Sequence, residues 1–257
     1  MILSANSISF WYGNRSILKD ISLHVKKQEI VMILGPNGSG KTTLLRCLNG
    51  INRPQKGTVL LGDRNMRHMS GREIAKNVGY VPQSCEQVRL TAFDAILLGR
   101  RPYVGWRLSG KDIKKVDAII HTLGLETLAL RYLDEMSGGE LQKVTIARAL
   151  VQEPKLLLLD EPISSLDVKN QIDIMETLRH IVLGHGISAV MSLHDLTMAL
   201  RYGDRFVFMK EGEVHHILRR AEVSPSVIAE IYDEVIALTE SILGNCCNDY
   251  PVIIPAW

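Results

Sequence analysis

Gly35-Pro36-Asn37-Gly38-Ser39-Gly40-Lys41-Thr42 sets glycines, a lysine and a hydroxyl at the spacing of a loop that wraps a polyphosphate. The glycines let the backbone approach the phosphates closely, and amides at a helix N-terminus favour their negative charge. Lys41 reaches the outer phosphates, the Thr42 hydroxyl can ligate Mg²⁺, and Thr43 continues the run into the helix. Such a loop needs a carboxylate elsewhere to hold the magnesium water shell. Leu156-Leu157-Leu158-Leu159-Asp160 supplies one at the tip of an apolar run, and Glu161 follows it. An acid at a strand end can simply begin a turn. With the phosphate loop in the same chain, the pair reads as a metal-shell Asp160 and a Glu161 placed to polarise the attacking water.

Both motifs need particular elements under them. Residues 30–34 form an apolar strand leading into the loop, and Leu44, Leu45 and Leu48 have helical spacing over 41–49 before Gly50 stops the helix. Strands are expected at 8–12, 17–25 and 58–61, broken by Gly13-Asn14, Lys26-Lys27 and the stretch 54–57. From 91 to 153 the period turns helical, through Ala95, Leu98, Ile113, Val116, Ile119, Ile120 and Leu123 to a helix at 137–152. A buried strand at 156–159, a helix at 168–183 and a strand at 187–193 restore a parallel β–α–β order. A hairpin at 206–209 and 214–218, and a helix opened by Ser224-Pro225, close the chain. The fold class is α/β: a phosphate-loop NTPase core, a β-rich N-terminal part and a mainly helical insertion.

With 257 residues, 46% of them apolar, the chain is an ordinary globular length and composition rather than a disordered one. Thirty Lys and Arg against 28 Asp and Glu leave a net charge of +2, so bulk electrostatics does not favour nucleic acid. No apolar run approaches the roughly 18 residues of a membrane span, and the start lacks a basic segment followed by an apolar one, so a cytoplasmic chain is expected. Cys47 and Cys85 stand alone and Cys246-Cys247 are adjacent, a spacing that suits neither zinc nor a disulfide framework and reads as reduced, structural cysteine.

Met136-Ser137-Gly138-Gly139-Glu140-Leu141-Gln142 adds a third motif. Ser137 with Glu140 is a capping box, and a helix N-terminus with two glycines also exposes amides to phosphate. Together with the two carboxylates and the phosphate loop, the segment resembles the signature of the nucleotide-binding subunit of an ABC transporter, with Met136 in place of the usual leucine.

That resemblance implies an ABC ATPase fold over the single domain 1–257: a nucleotide-binding core at about 1–83 and 154–218, a helical subdomain at about 84–153 and a C-terminal extension at 219–257. It implies ATP and Mg²⁺ as ligands. Tyr12 then stacks on adenine, and Gln83, after Tyr80-Val81-Pro82, touches Mg²⁺ and the attacking water. His194 hydrogen-bonds the γ-phosphate. Ser164-Ser165-Leu166-Asp167 resembles the D-loop, where Ser165 replaces a more usual alanine. Ser137, Gly138, Gly139 and Glu140 would bind ATP held by a second copy of the chain, in a head-to-tail dimer. The resemblance places the protein peripherally on the cytoplasmic face of the membrane, on permease subunits that are fed by an external substrate-binding protein.

The segment 91–103 and the tail 252–255 are similar to those of the iron-siderophore, haem and cobalamin uptake ATPases. A permease helix is expected to dock on 84–106, with Tyr103, Val104 and Trp106 as anchors and Arg100, Arg101 and Arg107 as a polar rim. A soluble ABC ATPase acting as a switch or scaffold on another macromolecule, without a permease, is the other reading.

Overall fold

Residues that alternate along the apolar strands sort onto the two faces of one central sheet. The computed structural model describes residues 1–83, 89–104 and 108–232, with the backbone of 236–237 and 254–255. The chain runs through β1 (Leu3–Tyr12), β2 (Arg15–Val25), β3 (Ile30–Leu34), α1 (Lys41–Leu48), β4 (Lys56–Leu61), β5 (Arg64–Asn65), α2 (Gly71–Ala75) and β6 (Val78–Val81). Next come α3 (Ala92–Leu98), α4 (Gly110–Thr122), α5 (Gly138–Leu150), β7 (Leu156–Asp160), α6 (Val168–His185), β8 (Ser188–Ser192) and α7 (Leu196–Tyr202). The last elements are β9 (Arg205–Lys210), β10 (Glu213–Arg219), α8 (Pro225–Tyr232), β11 (Ile236–Ala237) and β12 (Ile254–Pro255).

The central sheet has the order β10-β9-β3-β8-β7-β6, and all its pairs are parallel except β9 with β10. An antiparallel sheet of order β2-β1-β4-β5 lies beside it. Val31, Ile33, Leu156, Leu158 and Val190 face a core shared with that second sheet and with Leu44, Leu45 and Leu48 of α1. Met32, Leu34, Leu157, Leu159 and Met191 face the opposite core, built with α3 to α8. Burial on both faces is why β3 and β7 read as unbroken apolar runs instead of alternating ones.

The expected elements form, with two differences of physical interest. β1 starts five residues before the expected position 8, because a bulge between Ala5 and Ile8 breaks the two-residue alternation that marks a strand. Ser7 takes φ +49° there. Gly57 lies against the bulge at φ +79°, where a Cβ would meet the Ser7 carbonyl oxygen at 2.3 Å. The second difference is β6, an edge strand of four residues that was not expected as a strand. It follows a single short helix, α2, capped reciprocally by Ser70 and Glu73.

The expected docking loop is corrected in part. Arg100 is buried, with Nε donating to Asp112 Oδ1 at 3.0 Å and Nη1 to the Val151 carbonyl at 2.8 Å. Its guanidinium lies 4.0 Å from the centre of the Tyr103 ring. The Tyr103 hydroxyl donates toward the carbonyls of Gln152 at 2.9 Å and Lys76 at 3.3 Å. Arg100 is therefore no rim residue, and Tyr103 ties the helical insertion to the chain just before β6 and just after α5. A hydrogen-bonded ion pair removed from water satisfies itself inside the domain, which is the physical reason these two residues face inward. Trp106 and Arg107, like Cys85, Cys246 and Cys247, lie outside the described residues. Tyr103→Ala should lower unfolding stability by about 2–3 kcal/mol, through lost ring packing and hydrogen bonds. Denaturant unfolding checks this, and an unchanged midpoint would mean the ring contributes no packing. Cys47 is buried on α1, and burial pushes its thiol up to about 12, far from nucleophilic.

Candidate nucleotide site

β3 delivers the chain at Leu34 into a loop in which Gly35, Gly38 and Gly40 all have positive φ. At Gly35 a Cβ would sit 2.1 Å from the Met209 carbonyl oxygen, so the close packing of loop on β9 admits only glycine. α1 then begins at Lys41 with no side-chain cap on its first turn and no acidic residue in it. Its free amides and positive dipole end remain available to an anion. Lys41 is buried and its Nζ donates to the carbonyls of Gly35 at 2.8 Å and Pro36 at 3.0 Å. Burial lowers its pKa, while the charges of Glu161 and Asp160 act to raise it. The Ser39 hydroxyl is buried inside the loop with no hydrogen-bond partner. A buried polar atom without a partner is costly.

Asp160 ends β7 opposite the start of α1. Its Oδ1 accepts from Thr42 Oγ1 at 3.0 Å and Ser192 Oγ at 2.9 Å, and its Oδ2 from the Tyr80 hydroxyl at 3.3 Å. These hard oxygen donors suit Mg²⁺, which takes one or two protein oxygens beside phosphates and water. Glu161 comes next, at φ +47°, with its amide donating to Ser192 Oγ at 2.9 Å. That turn aims its carboxylate back toward the loop. Gln83 Nε2 donates to Glu161 Oε2 at 2.7 Å, and His194 Nε2 contacts Oε1. Gln83 follows β6 and His194 follows β8, so three strand ends of one parallel sheet converge on the carboxylate.

A cleft of about 490 Å³ joins these groups; Asn37, Gly38, Gly40, Lys41, Thr42 and Thr43 line one side and Gln83, Glu161 and His194 the other. Arg15 and Ile17 of β2 also line it, and sequence reasoning did not find them. Ser192 was missed too, although a polar residue inside the apolar run 187–193 is a readable signal. Tyr12 ends β1, half-exposed, with its ring edge-on to Phe10 at 4.8 Å and its hydroxyl accepting from Asn52 Nδ2.

Ser137, Gly138, Gly139 and Glu140 stand apart from this cleft. Ser137 caps α5, with its amide and hydroxyl on Glu140 Oε2 at 2.8 Å each. The Ser137 amide and hydroxyl hold the Glu140 carboxyl below its usual range. A Cβ on Gly139 would meet Asn170 at 3.0 Å, and Asn170 is bonded to Asp167, the cap of α6. The signature therefore packs beside the D-loop, where Ser165 is exposed.

Residues 18–164 match the family described as ABC transporter. The chain belongs to that family. Among its relatives, an uncharacterised ABC transporter ATP-binding protein of Methanocaldococcus jannaschii is 45% identical over 99% of this chain and 98% of its own. A phosphonates import ATP-binding protein of Rhodopseudomonas palustris is 35% identical over 86% of this chain and 82% of its own. The petrobactin import ATP-binding protein FpuC of Bacillus anthracis is 34% identical over 84% and 80%. Among solved structures, an ATP-binding cassette in its ADP conformation superposes with TM-score 0.81 at 27% identity, over 90% of this chain and 98% of that one. A dimeric cassette in a post-hydrolysis state with ADP and Pi gives TM-score 0.76 at 29% identity, over 85% and 99%. This ABC cassette is an ATP-binding, ATP-hydrolysing transporter subunit with the ABC ATPase fold. Among the described residues no helix is long and apolar enough to cross a membrane.

Proposed function

We propose that two copies of this cassette bind ATP with Mg²⁺ head to tail and drive a permease that imports an iron complex, a siderophore or haem, or cobalamin. The observation that carries the reading is the convergence of Lys41, Thr42, Glu161, Gln83 and His194 on one cleft, with Asp160 hydrogen-bonded to Thr42. The α1 amides, Ser39 and Lys41 bind and neutralise the phosphates. Thr42 and Asp160 would hold the metal ion, whose charge would screen the phosphate oxygens. Glu161 takes a proton from the attacking water, Gln83 orients that water, and His194 holds the γ-phosphate. Tyr12 stacks on the base.

The signature and the D-loop lie on a different surface from the chain's own cleft, which favours action on a second copy's nucleotide. Tighter ATP binding by the closed pair than by the open one supplies the work. Coupling to a permease places the cassette peripherally on the cytoplasmic face, with an external binding protein presenting the substrate. The siderophore-type substrate is supported by the character of 91–103 and by the petrobactin relative. The phosphonate relative is the competing assignment.

Affinity purification from detergent-solubilised membranes tests this. A polytopic membrane protein should co-purify, and the ligand that stimulates the reconstituted complex should be an iron chelate or a corrinoid. Recovery of a soluble macromolecular partner instead would favour the switch reading.

A further inference from the structure

The metal-shell carboxylate has a support that the nucleotide chemistry above does not use. Asp160 is 1% exposed, and its two oxygens are held from three directions. Thr42 and Ser192 share Oδ1, and Tyr80 alone among these donors approaches Oδ2, at 3.3 Å. Tyr80 sits on β6, paired directly to Leu158 of β7, so the edge strand fixes where the hydroxyl falls.

We infer that Tyr80 is a positioning residue for the metal shell, locking the Asp160 carboxylate through Oδ2 so that Oδ1 and the Thr42 hydroxyl keep a fixed spacing for Mg²⁺. A carboxylate held only through one oxygen can turn about its terminal torsion, which is broad and soft. The Thr42 hydroxyl can ligate a metal through an oxygen lone pair and still donate to Asp160, so Oδ1 keeps both of its ties while Oδ2 has Tyr80 alone. Tyr80 is the second point that stops rotation. Groups one step removed from a metal commonly set its affinity by 10-fold or more through this kind of orientation. The inference rests on the reading of Thr42 and Asp160 as the metal pair.

The test is Tyr80→Phe, which keeps the ring and removes only the hydroxyl. ATP binding is titrated by fluorescence at a series of Mg²⁺ concentrations and in excess chelator, and Mn²⁺ uptake is followed by electron paramagnetic resonance with ADP bound. We expect the Mg²⁺ concentration for half-maximal tightening to rise about 10-fold and Mn²⁺ affinity to fall alike, while affinity in chelator stays at the wild-type value. A fall in chelator affinity equal to the fall with Mg²⁺ would mean general damage and overturn the inference, as would an unchanged Mg²⁺ requirement. Asp160→Asn is run beside it. If Asp160→Asn moves the Mg²⁺ requirement and Tyr80→Phe does not, the positioning role fails alone. If neither moves it, the metal-pair reading fails as well.

Discussion

Glutamine at position 161 should leave ATP bound and slow its hydrolysis by ~10²–10⁴-fold, the usual contribution of a positioned general base. The substitution keeps the shape of the side chain. It also keeps an oxygen that can accept from Gln83 Nε2, and the backbone amide bond to Ser192 is untouched. What it removes is the ability to take a proton from water. Lys41, Ser39 and the α1 N-terminus, proposed above to bind the phosphates, are unchanged. Nucleotide should therefore accumulate unhydrolysed, and the variant should sediment as an ATP-dependent dimer. Turnover under saturating ATP-Mg²⁺ and sedimentation velocity together decide it. Wild-type turnover in Glu161→Gln would remove Glu161 from the chemistry.

Lys41→Ala should act before the chemistry, reducing ATP affinity by ~10–100-fold, since a hydrogen bond to a charged group contributes about 1.5–3 kcal/mol. In the structure the ammonium rests on the Gly35 and Pro36 carbonyls, so the loop is already shaped around it. Combined with Ser137→Arg, the variant also reads out the shared site. Arginine at 137 crowds the partner's γ-phosphate but leaves the chain's own loop intact. In a two-fold sandwich, one chain of each kind puts both lesions into one site and leaves the other wild type. Each variant alone should be inactive, and mixing them should restore hydrolysis at one site of each heterodimer. ATPase activity from a demonstrated monomer would refute a shared site.

The parts of this site that could be read from sequence are those whose chemistry is local. Strand, glycine loop and helix at 30–48 follow one another directly, and so do the apolar strand and Asp160-Glu161. Each step is governed by neighbours a few residues away. Gln83 and His194 had meaning only through family resemblance, because no local rule marks a single glutamine after Pro82. The supports were invisible for a different reason. Thr42 and Asp160 are 118 positions apart and Ser192 lies 32 beyond Asp160, so their hydrogen bonds exist only once β3, β7 and β8 are packed side by side. The same holds for Arg100. Its partners lie in two distant segments, Asp112 on α4 and Val151 with Glu153 just after α5, and charge alone made it read as a surface residue.

Glu161 takes φ +47°, a left-handed backbone position that costs a residue with a side chain roughly 1–2 kcal/mol. With Glu161 as the proposed general base, folding and turnover make opposite demands on a single residue. The backbone there is best served by glycine, and the water only by a carboxylate. Laboratory evolution of this cassette for heat tolerance alone would drift toward glycine or asparagine at 161 and enrich well-folded, silent transporters. A thermostabilisation campaign must select for transport in every round, because at this position robustness and power output are traded against each other within one peptide unit.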